Sequence, residues 1–255
     1  MESNLREMLA VFARAKAEGD VRAFPGIAVC SSALEFAMFN GAILTAPVGS
    51  VAELEEGIQT AAAYYAARAL PWSLWVCREW LASAVRSKVA QTCYRQGLHL
   101  VVELPGMEAG SLEPPLRPPP ELEFQRVGDA RTRSDFNSIM TVAFGIPFSF
   151  ARQIYESKKT WLGGFTGWVA YREGVEVATA ATLIADGVIG VYSVGTLPQY
   201  RRKGYGEAVM RRALDGARTE SGLERSVLQS SAEGFHLYQR MGYRSVVRYA
   251  VFARS

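Results

Sequence analysis

Thr196-Leu-Pro-Gln-Tyr-Arg-Arg-Lys-Gly-Tyr-Gly-Glu-Ala-Val-Met-Arg-Arg212 decides how the rest of this 255-residue chain reads. An apolar run, Val188 to Val194, leads into it. Pro198 stops that run as a strand, because proline has no N–H to continue a ladder. Beyond the stretch, Gly206, Val209, Met210, Ala213, Leu214 and Ala217 recur at i, i+3, i+4, i+7 spacing, which predicts a helix with one buried face beginning near Gly204. A helix start presents unpaired N–H groups and about half a positive charge, a setting that suits an anion. Gly204 and Gly206 remove the Cβ atoms that would hold a phosphate away from the backbone. Arg201, Arg202 and Lys203 add cationic side chains at the rim.

The turn matches neither common phosphate fingerprint, Gly-x-x-x-x-Gly-Lys-Ser/Thr or Gly-x-Gly-x-x-Gly. Its pattern is Arg201-x-x-Gly204-x-Gly206, which by itself reads better as a basic surface turn capping a helix. The sequence around it overturns that reading. Downstream, Ser226–Gln229 reads as a short buried strand, and Ser230 or Ser231 can cap a helix running from about Ala232. That helix closes at Leu237-Tyr238-Gln239-Arg240-Met241-Gly242-Tyr243, where Gly242 supplies a left-handed cap. Upstream, Gly167–Tyr171, Val175–Leu183 and Val188–Gly195 predict three strands joined by turns at Arg172-Glu173-Gly174 and Asp186-Gly187. Asp129–Phe144 and Phe148–Lys158 predict two helices, broken by Gly145 and Pro147. A strand starts near Phe124, and Arg244–Ala253 predicts the last one.

The order strand, two helices, three-strand meander, helix, strand, helix, strand resembles the GCN5-related N-acetyltransferase (GNAT) superfamily. The two motifs, Arg201-x-x-Gly204-x-Gly206 and Leu237-Tyr238-x-x-x-Gly242-Tyr243, resemble it at the same places, and the likeness covers residues 121–255. It implies a mixed-sheet α/β acyl-CoA N-acyltransferase fold, with acetyl-CoA as co-substrate and no metal. The implied reaction is direct attack on the thioester by a primary amine of a small molecule or peptide. By the same resemblance, backbone groups of Val194, Gly195 and Thr196 pair with the pantetheine arm. The N–H groups of Arg202, Lys203, Gly204, Tyr205, Gly206 and Glu207 hold the pyrophosphate, with Arg201 at the turn's first position. Ser230 and Ser231 stand where relatives often carry an asparagine and are counted with the cofactor site. Tyr238 matches the tyrosine that protonates the departing thiolate; its alternative is a core aromatic with its hydroxyl at the surface.

One departure from relatives is chemical. The strand Val188–Gly195 carries no carboxylate, where they often place a general base. Ser193 or Tyr192 can order a water there, or simply pack. A low-pKa acceptor amine needs little help. A non-catalytic reading, a silent acyl-CoA-binding sensor or scaffold, stands beside the enzyme reading. Phe144, Phe148, Phe150, Tyr155, Trp161, Phe165 and Trp168 lie in the region that borders the acceptor in relatives, and more of them are expected in the core than in a pocket.

Leu112–Pro120 holds five prolines, an extended run that no helix or central strand tolerates. It divides the chain into 1–112, a linker at 113–120, and a catalytic domain at 121–255. Residues 1–112 carry 9 basic and 11 acidic side chains, and residues 113–255 carry 19 and 14, so the positive balance sits with the phosphate turn. That balance is too small and mixed for nucleic acid. In the first half, Leu5–Ala17, Val51–Arg68 and Leu81–Arg95 predict helices. Gly26–Ser31, Glu35–Leu44, Trp72–Val76 and Leu98–Leu104 predict strands, the second with Asn40-Gly41 open as a turn or bulge between shorter pieces. The order matches the last five elements of the second half, but Thr45-Ala46-Pro47-Val48-Gly49-Ser50 lacks the cations and paired glycines. The first half thus resembles a degenerate repeat of the same fold, in a tandem arrangement; the alternative is an unrelated α/β lobe.

Cys30, Cys77 and Cys93 lack metal-type spacing and predict buried reduced thiols. With His99 and His236 the only histidines, no metal site is expected. Met1-Glu2-Ser3-Asn4 lacks a basic leader and no uninterrupted apolar span reaches membrane length, so the sequence predicts a cytoplasmic protein without membrane or nucleic-acid partners, as a monomer or homodimer.

Overall fold

The computed structural model describes residues 1–254. The chain folds as two compact units. One holds Glu2–Met107 together with Gln229–Ala232 and the chain from Ser245 onward. The other holds Glu108–Leu228 and Glu233–Arg244. The proline-rich 113–120 run falls within the second.

The first unit contains α1 (Glu2–Arg14), β1 (Asp20–Phe24), β2 (Ile27–Ser31), β3 (Asn40–Leu44), α2 (Val51–Ala66), β4 (Ser73–Cys77), α3 (Ser83–Arg86), α4 (Val89–Arg95) and β5 (His99–Ala109). β1, β2 and β3 are antiparallel, and β3 and β4 are parallel on either side of α2. Its core gathers β2, β3 and β4 residues such as Val29, Ala42 and Leu74 with Leu54, Ile58 and Tyr65 of α2. Tyr65 is fully buried, stacks on Trp72 and donates its hydroxyl to the carbonyls of Cys30 and Gly41.

Three readings of this half differ from the structure. β1 is unforeseen because Asp20 and Arg22 make the segment look polar; they pair with each other on its exposed edge, and Pro25-Gly26 turns the chain into β2. Of the shorter pieces expected over Glu35–Leu44, only the one from Asn40 onward is a strand, β3. Asn40 is fully buried and donates its amide to the carbonyls of Leu34 and Pro71, folding the preceding loop and a 3-10 turn at Ala37–Phe39 back on the sheet. The helix expected over Leu81–Arg95 breaks into α3 and α4.

The second unit contains β6 (Glu123–Arg126), α5 (Ala130–Phe144), α6 (Phe148–Tyr155), β7 (Phe165–Arg172), β8 (Val175–Ala185), β9 (Val188–Thr196), α7 (Tyr205–Ser221), β10 (Ser226–Gln229) and α8 (Ala232–Arg240). β6 to β9 form an antiparallel meander, and β10 adds to β9 in parallel. Asp129 caps α5 by accepting from Thr132 N–H, 2.8 Å, and Gly145 ends it in the left-handed region at φ +64°. The two sheet faces are covered by different helices, as adjacent β7 residues show. A Cβ on Gly167 would strike Trp161, which packs edge-on against Phe136 of α5. Trp168 instead lies under Arg212 of α7, with the guanidinium carbon 4.0 Å from the ring centre. The apolar stripe Val209, Met210, Ala213, Leu214 and Ala217 of α7 is buried as its spacing requires.

The chain's last strand, β11 (Arg244–Ala253), leaves the second unit at its first residue. Tyr249–Ala253 pair antiparallel with Cys77–Ser73 of β4. In the first unit the strand order is β1-β2-β3-β4-β11-β5. The sequence likeness runs continuously through this strand, yet its pairing lies with the other half of the chain.

Candidate functional site

The site is built on β9, which does two irregular things near its end. Its pairing with β10 covers only Ile189 and Gly190, so from Val191 to Thr196 that edge has no partner strand among the described residues of the unit. Opposite β8, the register passes from Thr179↔Gly195 to Ala181↔Tyr192, leaving Ser193 and Val194 facing the single residue Ala180. This is a β-bulge, and Ser193 takes it up with φ +54°, a conformation a serine adopts only at a cost. Thr179 holds the bulge by donating its hydroxyl to the Ser193 carbonyl, 3.0 Å. Tyr155, at the end of α6, is hydrogen-bonded to the Ser193 side chain. Gly195 completes the arrangement: a Cβ there would lie 3.2 Å from Ala143 and 3.3 Å from Ile139, so its absence lets α5 close on the strand. Backbone groups of Val194, Gly195 and Thr196 thus stand at a strand edge beyond the reach of the β10 pairing.

The turn after β9 has the form an anion needs. Pro198–Tyr200 make one 3-10 turn, Arg202 and Gly204 are both left-handed at φ +62° and +82°, and Gly204 caps α7. Alternation of this kind points successive N–H groups into one concavity. Among the described residues, no backbone carbonyl accepts from the N–H groups of residues 202 through 207; the first helical bond runs from Ala208 to Gly204. A Cβ on Gly206 would sit 3.1 Å from Thr196 Oγ1, which fixes how close the helix start and the strand end come. Arg201, Arg202 and Lys203 are exposed around this rim. Arg201 Nε reaches the Thr196 carbonyl at 3.3 Å, and Lys203 lies over the Tyr200 ring. Tyr205 is buried and accepts from Arg172, 2.6 Å. The carboxylate of Glu207, the single acid in the first turn, is held by Arg211 at 2.7 Å.

Tyr238 lies in the same unit, buried on α8. Its ring folds back over Gly234 one turn earlier, where a Cβ would come within 2.7 Å of Cε2. On its other side it meets Tyr243 edge-on, at 6.1 Å between centroids. Tyr243 is itself fixed by a 2.6 Å hydrogen bond with Ser226 of β10, and burial pushes its phenol up to about 12. Burial also raises the Tyr238 phenol well above the ordinary tyrosine value, and the neighbouring Tyr243 adds to the shift. Tyr238 therefore keeps its proton throughout the physiological range. Gly242 caps the helix at φ +97° as expected, and the backbone at 111–113 packs on it.

Ser230 and Ser231 lie in the loop between β10 and α8. Both belong to the first unit, where Ser230 is buried, its N–H donates to the Pro105 carbonyl and its hydroxyl to the Ser231 carbonyl. Tyr192 is buried, with a phenol raised far above its usual range by desolvation. Two contributors had no local sequence signal. Tyr155 reads as one aromatic among several, and only the α6–β9 packing brings it to Ser193. Gly234 reads as an ordinary helix residue until Tyr238 is seen lying on it.

The corresponding place in the first unit is chemically different. β3, α2 and β4 repeat the strand–helix–parallel strand arrangement of β9, α7 and β10. At the start of α2, however, Ser50 accepts from Glu53 N–H, and Glu53 accepts from Gly49 N–H at 2.9 Å. The protein's own carboxylate occupies that helix start. No group of three or more His, Cys, Asp or Glu among the described residues is arranged to hold a metal, and no helix there is long and apolar enough to cross a membrane. The three cysteines are buried free thiols, each pushed up to about 12 by desolvation.

The profile of the acetyltransferase (GNAT) domain family matches residues 163–245, the span from just before β7 to the end of α8 and beyond Tyr243. Among solved structures, a GCN5-related N-acetyltransferase from Kribbella flavida is similar over the whole chain, with 20% identity, 95% of its own length covered and a TM-score of 0.75. A functionally unknown conserved protein from Staphylococcus epidermidis follows at 13% identity and TM-score 0.67, covering 93% of this chain and 94% of that one. A GCN5-related N-acetyltransferase from Sphaerobacter thermophilus matches at 14% identity and TM-score 0.58, over 89% of this chain and 76% of its own. No curated protein matches the sequence. The bulged strand and the open N–H groups at the start of α7 fall inside the matched span: residues 163–245 are an acetyltransferase (GNAT) domain, and the chain has the fold of the GCN5-related N-acetyltransferases.

Proposed function

We propose that the protein transfers an acetyl group from acetyl-CoA to a primary amine of a small molecule or peptide, by direct attack of the amine on the thioester. The observation that carries this is the run of acceptor-free N–H groups at 202–207, next to a strand edge left unpaired from Val191 to Thr196. In this reading the pyrophosphate lies on the N–H groups of Arg202 through Glu207, with Arg201 and Lys203 at its rim. The pantetheine arm runs along Val194, Gly195 and Thr196 as an added strand. Bound acetyl-CoA supplies the activated acyl group. The chain's own part is to orient the thioester against the bulge, to offer an N–H near Val194 to the developing oxyanion, and to keep a protonated phenol at Tyr238 for the departing thiolate. One well-placed oxyanion donor is worth about 3 kcal/mol in characterised cases.

We assign the catalytic domain to 121–255, the linker to 113–120, and a degenerate repeat of the fold to 1–112. The Glu53 carboxylate on Gly49 supports the last assignment, since it takes the place a phosphate would need. Ser193 we place as a positioning group for the bulge, held by Tyr155.

Thiol release from acetyl-CoA across a panel of primary amines, together with calorimetric titration of acetyl-CoA, tests the proposal. Turnover that falls about 100-fold in Tyr238→Phe with unchanged cofactor affinity supports it. Tight binding with no turnover for any amine would point instead to a silent acyl-CoA-binding module.

A further inference from the structure

If the site transfers acetyl groups as proposed above, the surroundings of the bulge bear on which amine it takes. The bulge is contacted from three directions: by Thr179 of β8, by Ile139 and Ala143 of α5, and by Tyr155 of α6. None of these is a carboxylate or an amine. The absence extends along the chain, because residues 136–151 and 188–200 contain no Asp, Glu, Lys or Arg. The ionisable groups of α5 lie in its first two turns and are engaged there. Arg131 faces Asp135, which accepts from Tyr171; Arg133 donates to the carbonyls of Glu156 and Gly128. Glu156 lies just past α6 and accepts from Asn137, while Arg152 sits in the last turn of α6. Tyr155 and Tyr192 both have phenols raised above their ordinary value by burial, so neither offers a negative charge at neutral pH.

The apolar character at this place is also exposed, which a core would not require. The α5–α6 connection is anchored by Ile146, 1% exposed, between Gly145 in the left-handed region and Pro147 at the start of α6. On either side of that anchor, Phe144 and Phe148 leave 43% and 51% of their surface in solvent. Phe144 follows directly on Ala143, the residue that touches Gly195. Two half-exposed phenylalanines thus flank a connection whose helices both pack on the bulge. A cationic amine gains only a weak ring-face attraction from such a surface, and desolvating its charge there costs more. An uncharged amine on an apolar body loses little and buries the rings.

We infer that the acceptor is an apolar primary amine, bound as the neutral base, and that Phe144 and Phe148 determine this specificity. The neutral amine nitrogen adds to the thioester carbonyl and the C–S bond breaks. One N–H proton leaves to solvent and the thiolate takes one from Tyr238, which is reprotonated by water. No carboxylate is needed, in keeping with the strand Val188–Gly195 having none.

The test uses the full chain with acetyl-CoA and four amines: phenethylamine, hexylamine, putrescine and ethanolamine. The two apolar amines are expected to exceed the polar two in kcat/KM by about tenfold or more. Phe148→Ser and Phe144→Ser, at exposed positions, should each raise KM for phenethylamine about tenfold and leave acetyl-CoA affinity unchanged, while Phe148→Leu recovers most of the loss. Below the pKa of each amine, kcat/KM should rise about tenfold per pH unit and its midpoint should move with the amine. Turnover that favours putrescine or ethanolamine, or a Phe148→Ser variant with unaltered selectivity, overturns the acceptor assignment and leaves acetyl transfer standing. Acetyl-CoA binding with no turnover on any of the four, or on a wider amine panel, overturns acetyl transfer itself.

Discussion

Replacing Gly206 by alanine should make the protein no less stable and bind its cofactor worse, and these two effects come from separate physics. Gly206 is the second residue of α7. Alanine in place of glycine in a helix is worth about 0.8–1.0 kcal/mol. Against that, the new Cβ would lie 3.1 Å from Thr196 Oγ1, a crowded contact that the threonine relieves by shifting a few tenths of an ångström. The net effect on folding should lie between zero and about 1 kcal/mol of stabilisation. A methyl group at this place also keeps a phosphate oxygen from the N–H groups at the helix start. A hydrogen bond to a charged group is worth about 1.5–3 kcal/mol, so acetyl-CoA affinity should fall by roughly 10- to 100-fold. Gly222→Ala, at the other end of the same helix, is the control. Gly222 sits at φ +69° with open space around a built Cβ, so alanine there adds about 1–2 kcal/mol of backbone strain and touches nothing else. Thermal unfolding without ligand and calorimetric titration of acetyl-CoA separate the pair. Gly222→Ala should lose stability and keep affinity; Gly206→Ala should keep stability and lose affinity. If Gly206→Ala binds acetyl-CoA as the wild type does, the phosphates do not lie on the start of α7.

Three further expectations can be measured with the same material. Gly234→Ala drives a methyl into the ring of Tyr238, so kcat should fall toward that of Tyr238→Phe while acetyl-CoA affinity, read by titration, stays put. Ser193→Ala and Ser193→Gly both lose the serine hydroxyl, but only Ser193→Gly relieves the left-handed strain; denaturant melts should show Ser193→Gly about 1 kcal/mol more stable than Ser193→Ala. Glu53 is held below the usual carboxylate range chiefly by Gly49 N–H, and Asp129 by Thr132 N–H. Both stabilising contributions are complete above the unfolded carboxylate pKa and disappear as pH falls through the lowered folded values, so Glu53→Gln with Asp129→Asn should flatten the acid limb of a Tm-against-pH curve below the ordinary carboxylate pKa of about 4.

What the sequence discloses follows from how local each cause is. The start of α7 is legible because two glycines, three cations and a buried stripe lie within about twenty residues of one another. Gly145, Gly242 and Pro198 are legible for the same reason: each acts on its own backbone. The bulge in β9 is not. Ser193 carries no mark of its left-handed φ, because what holds it there is Thr179 across the sheet and Tyr155 from a helix nearly forty residues earlier. Asn40-Gly41 marks a break in its segment but not the cause, since the carbonyls that Asn40 holds, at Leu34 and Pro71, lie outside that dipeptide. β1 is hidden by Asp20 and Arg22, which face solvent on an edge and pair with each other. The destination of β11 is the least local of all. Its alternation predicts a strand, but nothing in residues 244–253 says that the partner is β4.

The starts of α2 and α7 show what decides whether the donors of a helix start stay open. α2 and α7 each follow one strand and precede a parallel one, and each begins with N–H groups that the helix cannot satisfy. In α2 the requirement is met internally. Ser50 and Glu53 form a reciprocal cap, and the glutamate reaches on to Gly49. A phosphate approaching that place would meet a carboxylate and find the donors taken. In α7 the cap residue is Gly204, with no side chain to offer, and the acid of the first turn is drawn away by Arg211. The donors stay open, and β9 ends its pairing early enough to leave a strand edge beside them. Charge alone does not separate these cases, since a cationic turn around a capped helix would still have no donors to give. The chemical difference between the two helix starts lies in one withheld side chain, that of Gly204, and in one redirected carboxylate, that of Glu207.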